Sequence, residues 1–197
     1  MVKKQKDFFK ENYIQSWEYI KESRHFIYSI IILFLLFSLL GFFFPAPENI
    51  SAYILEFIEN LLNKTEGMSQ GELIKFIFVN NIQGSFFGMI FGAFLGIFSL
   101  ISVIANGYIL GFVAAKSMQS QGILILLRLL PHGIFEIPAL FISLGLGLKL
   151  GAFIFQKKKL KSFQMYLWES LRVFLFVVIP LLILAAIIEG SFISLFP

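Results

Sequence analysis

The feature that most constrains this chain is a long stretch of sequence without charge. From Phe76 to Ala115 there is no Asp, Glu, Lys or Arg. A transmembrane helix needs about 20 apolar residues to cross the roughly 30 Å hydrocarbon core of a bilayer, and this stretch is about twice as long. It therefore predicts two membrane-spanning helices, at 76–97 and 100–118, joined by a tight turn near Gly96–Ser102.

The composition of the whole chain agrees with a membrane protein. Hydrophobic residues make up 58% of the sequence and charged residues 14%, and 26 of the 197 residues are Phe. A soluble domain carries about 25% charged residues, so this chain lacks the charge to cover a water-facing surface. The predicted fold class is all-α, a polytopic transmembrane helical bundle with about five spans. Because there is no cysteine and there are only two histidines, we predict neither a metal centre nor a cofactor.

Three further apolar runs supply the remaining spans, predicted at 26–44, 134–155 and 168–188. Together the five spans form a single domain over 26–197. Pro180 is expected to kink the last span. Residues 122–131 are too short to span and contain Arg128, so they predict a short interfacial or re-entrant helix.

The charges outside the spans predict a topology. Basic residues are frequent in 1–25 and again at 157–161, whereas the loop at 45–75 is mainly acidic. Because cytoplasmic flanks are enriched in Lys and Arg, we predict a plasma-membrane protein with a cytoplasmic N-terminus and an extracytoplasmic C-terminus. This topology accounts for the net charge of +4 without a nucleic-acid partner. Within 1–25, apolar residues recur at helical spacing, which predicts a cytoplasmic amphipathic helix on the inner leaflet.

Glycines recur every four residues in the predicted second span, and the same four-residue spacing occurs in the third. They are Gly84, Gly88, Gly92, Gly96, Gly107 and Gly111. On a helix such spacing leaves one stripe without side chains, which permits close approach of another helix in lipid. The stripe has two interpretations: tight packing within the chain, or the seam of a homodimer.

Several polar residues lie at membrane depth, where such groups usually face a bundle interior or water. They are Asn80, Asn81, Asn106, His132, Glu136 and Glu189. The predicted topology brings most of them to the outer leaflet from distant parts of the sequence. The interpretations are a structural network that locks the helices together, a binding site for a partner or small solute, and a proton or ion relay. Lys149 is expected to extend its ammonium group to the inner surface.

The sequence has none of the motifs by which common hydrolases and nucleotide-binding enzymes are recognised. It lacks the paired His-Glu-x-x-His of zinc peptidases, the Gly-x-Ser-x-Gly nucleophile turn, and a glycine-rich phosphate loop. We therefore predict a protein without catalytic activity.

A specific combination of residues resembles a known family. Asn80-Asn81 opens one glycine-rich span and Asn106-Gly107 opens another, and Pro131-His132-Gly133 is followed by Glu136 and Pro138. With Glu189 near the end, the region 75–197 resembles the stage II sporulation protein M family of integral membrane proteins.

The resemblance implies a role. The family's members in sporulating bacteria look like scaffolds that join two cell-wall hydrolases during engulfment, and relatives occur in organisms without peptidoglycan. We therefore predict a non-catalytic membrane scaffold that binds membrane or extracytoplasmic proteins and lipid. The competing interpretation is a transporter or channel for a small solute or ion that uses the outer polar cluster.

Overall fold

The computed structural model describes residues 7–44, 46–122 and 130–195, apart from the side chains of Gln121 and of 130–132. Its helices, in chain order, are α1 Phe8–Glu22, α2 Arg24–Phe43, α3 Glu48–Thr65, α4 Gln70–Ile90, α5 Ile97–Gln121, α6 Leu130–Gly151, α7 Lys159–Val173 and α8 Ile179–Leu195. Short 3₁₀ segments, Phe91–Ala93 and Ala152–Phe155, follow α4 and α6. A π-helical segment, Phe174–Val178, joins α7 to α8.

Five helical segments in the described part of the chain are long and apolar enough to cross a membrane. They are Arg24–Phe43, Gln70–Ala93, Ile97–Ser120, Gly133–Phe155 and Lys159–Leu195. The all-α fold with five candidate spans is thereby confirmed. The second segment begins at Gln70 rather than at 76, because Ser69 starts the helix with a capping box. Its backbone N–H donates to Oε2 of Glu72 at 2.9 Å.

The turn between α4 and α5 lies slightly before its predicted position. The chain leaves helical geometry after Ala93, and both Leu95 and Gly96 have positive φ angles, 59° and 74°. A glycine adopts this left-handed conformation without the steric cost of a Cβ, which explains why α5 can begin directly at Ile97. The predicted interfacial helix at 122–131 falls mostly on residues outside the described ones, and Leu130 belongs to α6.

The last helical segment is longer than the predicted span at 168–188. It runs for 37 residues, from Lys159 to Leu195. Where a proline kink was expected, the structure has the π-helical segment, which ends just before Pro180. Proline has no N–H to donate to the carbonyl of Phe176, and a locally wider turn accommodates that missing hydrogen bond.

Helix α6 occupies the centre of the bundle and packs against α2, α4, α5 and α8. Leu144, Leu146 and Leu150 along α6 are fully buried. The largest single helix pairing is that of α2 with α5. These two helices run parallel, because Phe34 of α2 lies against Gly107 while Ser38 lies against Gly111. Helix α1 packs beside α7.

The two ends of the bundle differ in character. Lys149 donates a hydrogen bond to Ser23, and Gly151 lies against the α4–α5 turn. The end of α6, the α4–α5 turn and the start of α2 therefore lie at one end of the bundle. We call this the lysine end, because the cluster at 157–161 follows α6. At the opposite, far end, the Gln70 side chain donates to Ser191 Oγ at 2.9 Å. Lys21 and Arg24 and the cluster at 157–161 thus lie at the same end, whereas the orientation in the cell stays a prediction.

Candidate functional site

A lateral groove runs along the outer surface of α4 beside α5. Its main part is a cavity of about 450 Å³, lined by Asn80, Gln83, Gly84, Phe87, Gly88, Phe91, Phe98 and Ser102. A second cavity of about 380 Å³ shares Asn80 and Gln83 with the first and reaches Glu72 and Lys75 toward the far end. The groove therefore extends from the charged rim of α4 into the charge-free part of the span.

The groove closes toward the lysine end. The Ser99 hydroxyl donates to the carbonyl of Gly88 at 2.8 Å and ties α5 to α4 there. The rings of Phe91 and Phe98 lie 5.6 Å apart and line the same end. The groove is consequently polar in its middle and aromatic where it ends.

Three polar side chains are exposed within the charge-free stretch: Asn80, Gln83 and Asn106. Asn106 donates to the Ser102 carbonyl of its own helix at 2.8 Å, and Asn80 makes a long contact of 3.4 Å with Asn81. An amide side chain offers two donors and an acceptor, so these contacts use only part of its hydrogen-bonding capacity. Polar groups that face lipid are costly, and partner helices commonly satisfy them.

Asn81 lies about 100° around the α4 axis from Asn80, on a side that turns toward the bundle. It is half-buried between Ile77 and Ser85, which are four residues away on either side and are both buried. Ser85 accepts a hydrogen bond from the Ser143 hydroxyl of α6 at 2.6 Å, so this face looks into the bundle. The structure therefore divides the adjacent asparagines between the interior and the lateral groove.

Glu136 and Glu189 are half-buried on α6 and α8. Glu189 directly precedes Gly190, which lies against Ile74 near the start of α4, and Glu136 lies in the second turn of α6. Both carboxylates therefore lie in the half of the bundle toward the far end. Because the His132 side chain lies outside the described residues, the complete cluster stays a prediction.

The glycines of the repeat also divide between the interior of the bundle and the lateral groove. A Cβ on Gly92 would meet the backbone of Gly147 on α6, and one on Gly96 would lie 2.5 Å from the Leu148 side chain. Gly107 and Gly111 lie against the backbone of α2. Gly84 differs, because a Cβ there would meet no heavy atom within 4 Å among the described residues. Most of these glycines thus pack within the chain, and Gly84 faces the lateral groove.

Lys149 was expected to extend its ammonium group to the inner surface, but the structure buries it. Only 7% of it is exposed; it donates to Ser23 Oγ at 3.0 Å and lies 3.8 Å from Oε2 of Glu22. Its ammonium group also lies 3.7 Å from the centre of the Tyr19 ring. The difference arises because α1 packs beside α7, and the end of α1 brings these partners to the lysine.

The N-terminal helix carried a signal for this contact. Ser16, Tyr19 and Ser23 recur at helical spacing and are all buried, whereas the large apolar residues Phe9 and Trp17 remain exposed. Burial raises the pKa of the Tyr19 phenol above its ordinary value, so the side chain beside the lysine stays neutral even at alkaline pH. Polar residues at helical spacing in α1, read together with a lysine inside a span, are the signal that predicts such a pairing.

Comparison with known proteins assigns the chain to a family. The chain is 32% identical over 172 residues to an uncharacterized protein of Methanocaldococcus jannaschii, a match that covers 84% of this chain and 76% of that protein. No solved structure gives a significant match. Residues 30–194 match the family described as Stage II sporulation protein M. With its five apolar helices, the chain is an integral membrane protein that belongs to the stage II sporulation protein M family.

Proposed function

We propose that the protein is a non-catalytic membrane scaffold that holds partner proteins at the far end of its bundle. The observation that carries this proposal is helix α3, which lies between α2 and α4 in the chain. It has 18 residues, all of them described, and none of them is buried. A helix that the chain builds but does not use in its own core is available to other molecules.

Helix α3 has the amphipathic pattern of a binding helix. Tyr53 is 72% exposed and Phe57 53% exposed, and Ile50 lies on the same side of the helix. The charged residues Glu56 and Glu59 fall outside the spacing of this apolar face. An amphipathic helix gains stability when its apolar face enters the groove of a partner or a membrane interface. The predicted topology places this helix outside the cell, where the family resemblance expects cell-wall hydrolases as partners.

The interior of the bundle favours a scaffold over a transporter. At the lysine end, Gly151 packs against the backbone of Gly92 and Gly96, and Gly92 packs against Gly147. These contacts leave no room for even a Cβ. A solute that entered the lateral groove would meet this closed end, and a path through the bundle would require the central helix to move.

The scaffold role is tested by photo-crosslinking in cells. A photoreactive amino acid at Tyr53 or Phe57 should give crosslinks to discrete proteins, which mass spectrometry can identify. The same group at Leu39, which is 57% exposed on α2, is the control and should react mainly with lipid. Equal patterns at Tyr53 and Leu39, or lipid adducts alone at α3, would contradict the proposal.

A matched substitution separates partner binding from folding. Phe57→Glu should abolish co-purification of the crosslinked partner because it places a charge on the apolar face. It should leave thermal stability in detergent unchanged, since Phe57 makes no core contact. Retained co-purification would show that α3 is not the docking helix.

A further inference from the structure

We propose that the lateral groove is the seam of a homodimer, in which α4 of one copy packs against α4 of a second copy. The proposal does not depend on α3 or on the scaffold role. It rests on the spacing, the polarity and the free space of the α4 surface.

Four exposed positions form one stripe along α4 and the 3₁₀ segment that follows it. Asn80, Gly84, Phe87 and Phe91 are separated by four, three and four residues, and all four are exposed. An average spacing of about 3.7 residues keeps them on one face of a helix with 3.6 residues per turn. Asn80 belongs to this stripe and lies in the charge-free part of the span, where an amide that faces lipid is costly, so a partner helix is favoured over lipid as the occupant.

The polar groups favour a second copy over an unrelated helix. Both copies enter the membrane in the same orientation, so their two-fold axis runs along the membrane normal and each residue meets its own counterpart. Asn80 carries both donors and an acceptor, and two such amides can hydrogen-bond to each other across the axis. A charge would repel its copy at this position, and the stretch from Phe76 to Ala115 has none.

Gly84 allows the close approach that such a hydrogen bond requires. Within the four-residue glycine repeat, Gly84 is the position where a Cβ would meet no atom among the described residues, whereas Gly88 and Gly92 already face α6. The glycine repeat of the sequence is therefore shared: most of it packs within the chain, and Gly84 lies on the outer face. Phe87 and Phe91, whose rings stack 5.6 Å apart, extend the apolar contact toward the lysine end.

The absence of cysteine from the sequence permits a direct test in native membranes. Single variants Gly84→Cys and Phe87→Cys should form disulfide-linked dimers on mild oxidation. Leu184→Cys, on the exposed surface of α8, is the control for random collision within the bilayer. Equal crosslinking at Leu184 and Phe87 would overturn the proposal.

A second pair of variants tests the role of Gly84 without disturbing the fold. Gly84→Leu, combined with Phe87→Cys, should reduce the dimer fraction several-fold. Gly71→Leu in the same background should not, although a Cβ at Gly71 also meets no atom within 4 Å among the described residues. Both should retain the thermal stability of the parent protein.

The other outcomes identify a different occupant. Crosslinks from Phe87→Cys to other proteins alone would replace the second copy with a partner helix. Monomers in single-molecule photobleaching, together with photo-crosslinks to lipid alone at this position, would show that lipid fills the groove. Either result would overturn the homodimer.

Discussion

At the scale of single residues, Lys149 has the most consequential surroundings. Its ammonium group lies on the Tyr19 ring and donates to Ser23, and the Glu22 carboxylate is close by. The three partners come from α1 and the start of α2, whereas Lys149 belongs to the central helix. Lys149 therefore adds to the packing of α1 beside α7. Removal of its charge should weaken the attachment of α1 to the central helix.

We expect Lys149→Ala to lower the free energy of unfolding by about 2 kcal/mol, since a desolvated cation–π contact contributes about that much. Lys116→Ala is the control, because its ammonium group lies 5.9 Å from the Phe112 ring and the residue is exposed. That change should cost about 0.5–1 kcal/mol. Thermal unfolding in detergent measures both, and equal losses would contradict the role assigned to Lys149.

At the scale of helices, the bundle depends on places where two backbones touch. Gly92 and Gly147 bring α4 and α6 together, and Gly107 and Gly111 bring α5 against α2. In lipid the hydrophobic effect does little to join helices, so such close packing supplies much of the association energy. Added bulk at these positions should separate the helices, by an amount that depends on what the new atoms meet.

Gly92→Ala should therefore destabilise the protein more than Gly88→Ala does. The new Cβ at Gly92 would lie 2.5 Å from the carbonyl carbon of Gly147, which cannot move alone, whereas at Gly88 it would meet Cδ2 of Leu144, which can rotate away. Overpacking of this kind costs about 1–3 kcal/mol. Phe91→Leu on the exposed surface is the near-neutral reference. Equal thermal stability of the two alanine variants in detergent would refute this account.

The helices could be predicted from the sequence to a greater extent than their contacts. Charge-free length alone indicated the spans, because a bilayer leaves a chain few alternatives to helices. Sequence could not tell that Gly92 faces α6 while Gly84 faces outward, because both lie in the same repeat. It also could not show that α1 covers Lys149, since that contact joins residues more than a hundred positions apart.

At the scale of the whole molecule, the bundle places its charged segments at its two ends. The cluster at 157–161 and the N-terminal helix lie at the lysine end, whereas α3 connects α2 to α4 at the far end. The positive-inside rule predicts that the lysine end faces the cytoplasm. Only the relation between the ends follows from the structure; their assignment to the two sides of the membrane is a separate prediction.

Single cysteines can test that assignment, with Lys159→Cys at the start of α7 and Asn63→Cys on α3, both at exposed positions. In intact cells, an impermeant thiol reagent should label Asn63→Cys and spare Lys159→Cys. Permeabilised cells, in which both should react, provide the control. The reverse pattern in intact cells would invert the predicted topology.

The pairing of α2 with α5 also determines how the protein is made. The first span leaves the ribosome well before its main neighbour, because α3 and α4 lie between them in the chain. Translation adds about 5–20 residues per second, so the 78 residues from the end of α2 at Phe43 to the end of α5 at Gln121 take about 4–16 s. During that interval the backbone of α2 at Phe34 and Ser38, which will meet Gly107 and Gly111, faces lipid or the insertion machinery. The first span must therefore be a stable helix by itself. Its sequence has no charged residue from Phe26 to Phe44, which suits a helix that is inserted in the membrane before α5 is made.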